Sequence, residues 1–414
     1  MHQANSRIRF RASRALPVVC AFTAACLCVA WTAPTAWAQK SKPGGTTYKY
    51  TLTDLLGFLD HGYQSRAQFV TKRSTLGQSL ILGVSRLYPD PQGPAIFHPA
   101  VWHITSNGGL SAGDPADLGV PSFALEVDPM GVNGLGFVLG RPVRSALQDE
   151  LGNYVFRSYV DVPAIGARPL PGAASDNSTA AGINDAGAIV GTVEVFTNDP
   201  QYPQGIKGEG ALWYVDVAGT VTGPVLLGDF TPAAINNYGV MAGVLNGYPA
   251  VARMVNASIV IDRTVQTNRF LGAHIHAIND YPADDPRLTV VGDSFRNELG
   301  QYNTSDSRRG VAWRPYAVSN TTTVLGTLGG TYSNALSVNR AGQIVGDSSG
   351  KRGGQFAFVY SNGAMTNLNT TTNVGDASLQ SAAGINDDGD IVGFMQIPRP
   401  VSEQHGFLLR PIVQ

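Results

Sequence analysis

Apolar and polar residues alternate along this chain in short runs punctuated by Gly, Asn and Asp. That period of two marks half-buried strands separated by tight turns. The clearest stretch is residues 325–348, LGTLGGTYSNALSVNRAGQIVGDS. A strand through Ser333 and Ala335 reaches Val338, turns at Asn339-Arg340-Ala341-Gly342, and returns through Ile344-Val345-Gly346. Asn at the first turn position bonds a backbone N–H two residues on, and Gly at the fourth tolerates a left-handed backbone. The element recurs as Ala180–Gly191 and Ala382–Gly393, more loosely as Ala233–Gly243, and with an enlarged turn at Ile275–Gly292, where Asn279 opens the connection. Degenerate copies span Ala124–Gly140, with Asp128 in the Asn place, and Ala67–Gly83, with Thr71 there. A β-branched residue precedes every turn, and every second strand ends in Gly. Asn184 with Gly187, Asn236 with Gly239, Asn339 with Gly342 and Asn386 with Gly389 are therefore expected to be structural turns.

Seven units at roughly 50-residue spacing fall in the range of propeller repeats. After each second strand comes a short apolar run that reads as a third strand, among them Ala100-Val101-Trp102, Tyr154-Val155-Phe156, Ala211-Leu212-Trp213 and Ala357–Tyr360. Six of these runs are followed by a fourth strand. The seventh, Gly406–Leu409, is followed only by Arg410–Gln414, while the chain opens on a spare strand at Tyr48–Gly57. This matched deficit and surplus predicts an all-β fold: a seven-bladed β-propeller of four-stranded blades, closed by the N-terminal strand pairing into the C-terminal blade. A linear solenoid would need polar caps at both ends instead.

Residues 1–38 stand outside this pattern. Arg7, Arg9, Arg11 and Arg14 precede an apolar run from Ala15 to about Trp31, and Ala36-Trp37-Ala38 is a small-x-small cleavage site. The expected organisation is a cleaved signal peptide over 1–38, a polar tether over 39–46, and one repeat domain over 47–414. Export to the periplasm or the medium follows, with no membrane span after cleavage. Cys20, Cys26 and Cys28 all lie in the leader, so the mature chain has to be held by its core rather than by disulfides. With the four leader arginines removed, 25 basic residues face 30 acidic ones, a net of −5. That balance argues against nucleic acid or an anionic membrane as partner.

The repeats resemble the extracellular HAF-repeat family, whose pattern looks like D-L-G-T-L-G-G, then S-x-A-x-x-I-N-x-x-G-x-V-V-G-x-S, then H-A-F-L-W. Leu325–Gly330, Ser333, Ala335, Val338-Asn339, Gly342, Ile344–Gly346, Ser348 and Phe356–Tyr360 carry the resemblance. So does the C-terminal unit, from Met365–Asn369 to His405–Leu409. Phe356 stands where His is usual, and Gly406 where Ala is usual. The resemblance implies an exported repeat protein and brings no assigned activity, catalytic residues or cofactor.

Candidate chemistry is sparse. Gly109-Leu110-Ser111-Ala112-Gly113 matches G-x-S-x-G as a string, but a nucleophile elbow needs a strand before it and a helix after, and here it lies in a Ser/Gly-rich turn. His274-Ile275-His276 puts two imidazoles on one face of a strand, half of a metal site, with no further ligand placed by sequence. Asn386–Asp390 and Asn184-Asp185 look faintly like calcium loops and lack the ordered ligand set. No metal or cofactor is therefore expected. Asn177-Ser178-Thr179, Asn256-Ala257-Ser258 and Asn303-Thr304-Ser305 are glycosylation sequons.

The informative variation lies in the connections between second and third strands, which share one face of an up-and-down blade. Glu194–Glu209 and Ser294–Gly310 are the richest, with Phe196, Tyr202, Phe295 and Tyr302 among polar neighbours, on either side of the short Leu245–Pro249 link. The expected function is a monomeric, non-enzymatic binding scaffold for a polysaccharide or another extracytoplasmic protein. The alternative is a propeller hydrolase or lyase acting on an extracellular polysaccharide, which requires two carboxylates or a His–metal set converging in one pocket. Mass spectrometry of the natively produced protein is expected to find a chain starting at Gln39. A retained Met1–Ala38 in that product would overturn the assignment of the leader.

Overall fold

The computed structural model describes residues 49–412, apart from 59–63, 88–95, 113, 151, 266–272, 295–307, 319–320 and 399–401. The expected leader and tether lie outside the described residues. Seven four-stranded antiparallel sheets form a ring, the predicted seven-bladed propeller. The first strands of blades 1 to 7 are Ser65–Val70, Ala124–Val132, Ser178–Ile183, Phe230–Ile235, His274–Ile278, Gly329–Val338 and Ser378–Ile385. Each touches the first strands of both neighbouring blades, so these strands form the inner wall. The core is a set of layers between blades. Leu139 and Val160 of blade 2 pack with Ile189 and Trp213 of blade 3, and Leu408 packs with Ile81 and Trp102 across the closing seam.

The recurrent residues have physical reasons. Between Ala180 and Gly182 the inner strand of blade 3 carries a register shift, which drives the Thr179 carbonyl against the second strand. A Cβ at Gly191 would sit 2.0 Å from that oxygen, and one at Gly292 would sit 1.8 Å from the His274 carbonyl, so the second strand accepts only Gly there. The Ser of S-x-A seals a blade to the one before it. Ser333 Oγ accepts from the Gly310 N–H at 2.9 Å and donates to the Gly326 carbonyl at 2.6 Å. The third-strand indoles are satisfied the same way, Trp102 Nε1 donating to Leu56 O at 3.0 Å and Trp213 Nε1 to Pro171 O at 2.9 Å.

The turn asparagines form a relay. Asn184 Oδ1 accepts from the N–H groups of Ala186 and Ala188 within its own turn, which frees its Nδ2 to reach the next blade. There it donates to Asn236 O at 3.0 Å. Asn236 donates to Asn279 O at 3.0 Å, Asn279 to Asn339 O at 3.4 Å, Asn339 to Asn386 O at 3.1 Å, and Asn386 to Thr71 O at 2.9 Å. The first link, Asn133 to Asn184 O at 3.1 Å, corrects the reading of blade 2. Asp128 does not hold the Asn place; it lies within the inner strand and pairs with Arg141 at 3.3 Å. The turn falls at Asn133 and Gly136, whose φ of 79° matches the 72° to 80° of Gly187, Gly239, Gly342 and Gly389. Residues 132–140, VNGLGFVLG, keep the spacing of INDAGAIVG, so the inner strand is simply longer than its Asp suggested.

Blade 2 departs from expectation once more. Tyr154-Val155-Phe156 is not its third strand: Tyr154–Val155 pairs with Leu147–Gln148 in a separate two-stranded ribbon. The third strand is Tyr159–Val162. Its Tyr159 ring occupies the space that a side chain at position 140 would need, 2.3 Å from the ideal Cβ of Gly140. Burial of Tyr159, Val160 and Val162 selects this run over the earlier one.

Closure follows the predicted pairing. Tyr50–Leu55 runs antiparallel to Glu403–Pro411, with Asp54 opposite Phe407 and Leu52 opposite Leu409. His405 Nδ1 lies 2.9 and 3.0 Å from the Asp54 carboxylate oxygens. On the opposite side of the seam Arg73 grips the buried Asp390 with two nitrogens, and Arg410 Nη1 donates to Ser106 O at 3.1 Å. Deleting the chain through Gly57 is expected to cost on the order of 5 kcal/mol, since it bares a blade edge and uncovers several apolar side chains. A deletion ending at Thr46 should cost almost nothing. Thermal melts of the two variants check this, and equal melting temperatures would contradict the closure.

Candidate functional site

Each inner strand ends at its turn, held by Asn in six blades and by Thr71 in blade 1, so the strand beginnings and the second-to-third connections share the other end of the channel. Two groups of side chains mark that face. The first is aromatic. Phe196, 75% exposed, stands at the end of the second strand of blade 3, and the exposed Tyr202 stands in the connection that follows. That connection is internally bonded: Thr197 N–H donates to Gly205 O at 2.8 Å, and Tyr202 N–H to Asp199 O at 2.9 Å. Phe295 and Tyr302 lie outside the described residues. The intervening link is a tight turn at Asn246 and Gly247, both with positive φ.

Two further exposed aromatics were hidden by the strand reading of blade 2. Tyr154, 59% exposed, is carried by the extra ribbon, and the exposed Phe156 directly follows it. The Asn177 side chain joins this segment to blade 3: its Oδ1 accepts from the Phe156 N–H at 2.8 Å, and its Nδ2 donates to Glu194 Oε2 at 3.0 Å, two residues from Phe196. The sequence signal was the second apolar run, Tyr159–Val162, which leaves the first without a place in the blade. Both side-chain atoms of the partly exposed Asn177 are thereby engaged in the fold, and Ser178 beside it is buried. Asn256 sits in an exposed hairpin turn at φ 49°. Asn303 lies outside the described residues.

The second group is ionisable and centres on blades 5 and 6. His274 Nδ1 lies 3.3 Å from Asp293 Oδ1, and His276 Nε2 and Arg308 Nη1 lie 3.6 and 3.5 Å from Asp293 Oδ2. Asp293 is only 1% exposed. Asp347 fills the equivalent slot of blade 6, one residue past the second-strand Gly, and accepts from Asn334 Nδ2 at 3.2 Å and Ser381 Oγ at 3.4 Å. Burial pushes its carboxyl up to about 6, against the opposing pull of those two hydrogen bonds and of Arg308 and His276. Sequence placed no carboxylate beside the histidine pair; the signal was the repeated V-G-D-S of 291–294 and 345–348. Among the described residues no group of three or more His, Cys, Asp or Glu side chains is placed to hold a metal ion.

The remaining motifs resolve into structure. Leu110 and Ser111 belong to the hairpin after the third strand of blade 1, with no helix following, and the Ser111 N–H is taken by the Asp114 carboxylate and the His103 carbonyl. Asp390 of the calcium-like run is held by Arg73. Where the residue after a turn Asn is Asp or Asn it caps the preceding blade, as in Gly134 N–H to Asp185 Oδ1 at 2.6 Å, Asp185 N–H to Asn237 Oδ1 at 2.9 Å and Arg340 N–H to Asp387 Oδ1 at 2.8 Å.

No family model matches the chain, and no curated protein matches it. Among solved structures it is similar to a protein of unknown function from Dyadobacter fermentans, with a TM-score of 0.40 and 13% identity over 87% of this chain and 99% of that one. It is also similar to an α-L-arabinofuranosidase from Fusarium graminearum in complex with an iminosugar inhibitor, with a TM-score of 0.35 and 9% identity over 88% of this chain and 98% of that one. A sucrose-6-phosphate hydrolase from Lactobacillus gasseri aligns with a TM-score of 0.25 and 10% identity over 83% of this chain and 78% of that one. Likenesses this distant carry no argument about site or activity.

The folded state holds the Asp347 proton more tightly than the unfolded chain does. Its contribution to stability is therefore fully present below about pH 4 and is lost as the pH rises through about 6. Asp347→Asn is expected to gain on the parent by up to about 3 kcal/mol between pH 4 and pH 8, the size of a two-unit shift. Urea unfolding at both pH values checks this. A difference between variant and parent that does not change with pH would contradict it.

Proposed function

We propose that this chain is an exported, non-enzymatic propeller that binds a polysaccharide through its long-loop face. The observation that carries the reading is the aromatic group of Tyr154, Phe156, Phe196 and Tyr202, exposed on backbone that is already hydrogen-bonded into place. Rings held before binding lose little conformational freedom when they stack on a ligand. Their neighbours Asp176, Asp199 and Gln201 supply polar groups around them, which suits the alternating apolar faces and hydroxyl edges of sugars. The HAF-repeat resemblance and the leader support export and add nothing about the ligand. Among the described residues no helix is long and apolar enough to cross a membrane.

A hydrolase reading has one observation in its favour, the carboxylates of Asp293 and Asp347 in equivalent places of adjacent blades. Both are buried and engaged by their own neighbours, which favours the binding reading. Reducing ends released from a bound polymer would reverse that preference.

Affinity electrophoresis against neutral and acidic soluble polysaccharides tests the proposal. At least one polymer is expected to retard the protein. The double variant Tyr154→Ala, Phe196→Ala should lose about tenfold or more in affinity, the worth of one or two stacked rings, at an unchanged melting temperature. Undiminished retardation of the variant, or no retardation by any polymer, would refute the reading.

A further inference from the structure

The long-loop face carries one charge that the fold does not need. Glu194 stands two residues before Phe196 on the second strand of blade 3, a spacing that puts both on the same face of the strand. Its backbone is fixed, the Glu194 carbonyl accepting from the Ala174 N–H at 2.8 Å. One carboxylate oxygen, Oε2, accepts from Asn177 Nδ2 at 3.0 Å and from Ser175 Oγ. Ser175 Oγ in turn accepts from the Asn177 N–H at 3.1 Å, which closes a small network around that oxygen. Both donors to Oε2 are uncharged. A Gln here would accept the same two bonds through its carbonyl oxygen, so the network accounts for the position of the group and not for its charge.

The other oxygen, Oε1, has no partner among the described residues, and Glu194 is partly exposed. Phe156 lies on the far side of Asn177, held through both of its backbone groups. Its N–H donates to Asn177 Oδ1 at 2.8 Å, and its carbonyl accepts from the Ser178 N–H at 2.9 Å. An open carboxylate oxygen is thus linked to two exposed rings, to Phe156 through Asn177 and to Phe196 along the strand.

Among the described residues no cation is paired with this carboxylate. Arg157 and Lys207 are the basic residues of segments 146–158 and 172–209, and both are engaged elsewhere. Arg157 pairs with Asp176, and Lys207 lies 2.7 Å from Glu209 and 3.3 Å from Asp229. Within those segments residue 151 alone lies outside the described residues, and it is a leucine. Asp199, in the connection that carries Tyr202, adds a second carboxylate, which accepts from the Gln201 N–H at 2.9 Å.

We propose that Glu194 Oε1 accepts sugar hydroxyls, and that the ligand of the long-loop face is a neutral polysaccharide, acidic polymers being excluded by the same charge. This rests on the polysaccharide-binding reading. A hydrogen bond from a hydroxyl to a carboxylate oxygen is short and roughly twice as strong as one between neutral groups. It fixes the sugar ring that stacks on Phe156 or Phe196, so apolar face and hydroxyl edge are read together. A uronate or sulfated residue in the same place would set its anion against Glu194 and Asp199, with Arg157 and Lys207 already paired.

The test uses calorimetry on the natively produced protein. Soluble β-glucan, xylan, arabinan and galactan are titrated, and the polymer that binds tightest is compared with its own carboxymethylated derivative. The charged derivative is expected to bind about tenfold or more weaker than the unmodified polymer at low salt. That gap should narrow in about 0.5 M salt, where exposed charges are screened. Glu194→Gln keeps both acceptor bonds and should leave the melting temperature unchanged. It should weaken binding of the neutral polymer about threefold or more, and reduce the gap between the two polymers to about threefold or less. A purely structural Glu194 would move neither. Equal binding of the two polymers by the unaltered protein overturns the proposal without recourse to a variant. So does a gap that survives Glu194→Gln at an unchanged melting temperature. If only an acidic or a basic polymer binds, such as polygalacturonate or polyglucosamine, the neutral assignment fails and the polysaccharide reading stands. If no polysaccharide binds, both fail.

Discussion

The ring depends on one interaction repeated six times, an asparagine amide reaching from one turn to the backbone carbonyl of the next. A buried amide left without a partner costs about 1 to 3 kcal/mol, whereas one made typically contributes about 1 kcal/mol. Each turn is therefore incomplete until its neighbour is in place. The same side chain uses its oxygen on its own turn and its nitrogen on the next, as Asn184 does for Ala186, Ala188 and Asn236. Thr71 has an oxygen to hold its own turn, bonded to the Leu80 N–H, and no nitrogen to pass on. The relay consequently breaks only between blades 1 and 2. The neighbouring closure is braced differently: the N-terminal strand completes blade 7 with its Asp54–His405 pair, and Arg73 of blade 1 holds Asp390 of blade 7.

This relay divides the molecule into two unlike faces. At the turn end the side chains with recognition chemistry are occupied: the turn asparagines by carbonyls, Asn237 and Asp280 after them by N–H groups of the preceding blade, and Tyr281 between Arg287 and Arg340. At the other end the connections lie outside this relay; they differ in length and, among the described residues, expose aromatic rings. The exposed rings of Tyr154, Phe196 and Tyr202 stand on the face that the relay does not use.

The parts of the sequence that announced themselves were those under a local steric demand. A second-strand Gly is required wherever an inner-strand carbonyl crowds it, and a turn Asn wherever two N–H groups and the next carbonyl must be served, so both recur at constant spacing. Blade 2 was misread for the complementary reason. Both Asp128 and the run Tyr154–Phe156 satisfy the local pattern, and only burial against Gly140 and pairing with the second strand select Asn133 and Tyr159–Val162 instead. The candidate sites were legible in fragments. Phe196 and Tyr202 stood out as aromatics in a long loop, but Tyr154 and Phe156 became visible only once they were removed from the blade.

By itself the sequence determined the repeat, the number of blades, the closing strand and the face on which the connections vary. These follow from period-two alternation and short-range sterics, which act within a few residues and leave a mark in each unit. Tertiary structure alone decided which groups meet. Asp293 and Asp347 lie 54 positions apart in the chain, yet both bear on His276 and Arg308, because the ring sets equivalent slots of adjacent blades side by side. The raised affinity of Asp347 for its proton is likewise a property of burial, which outweighs the opposing hydrogen bonds of Asn334 and Ser381. No local pattern encodes it, because desolvation depends on what the rest of the chain places around a carboxylate.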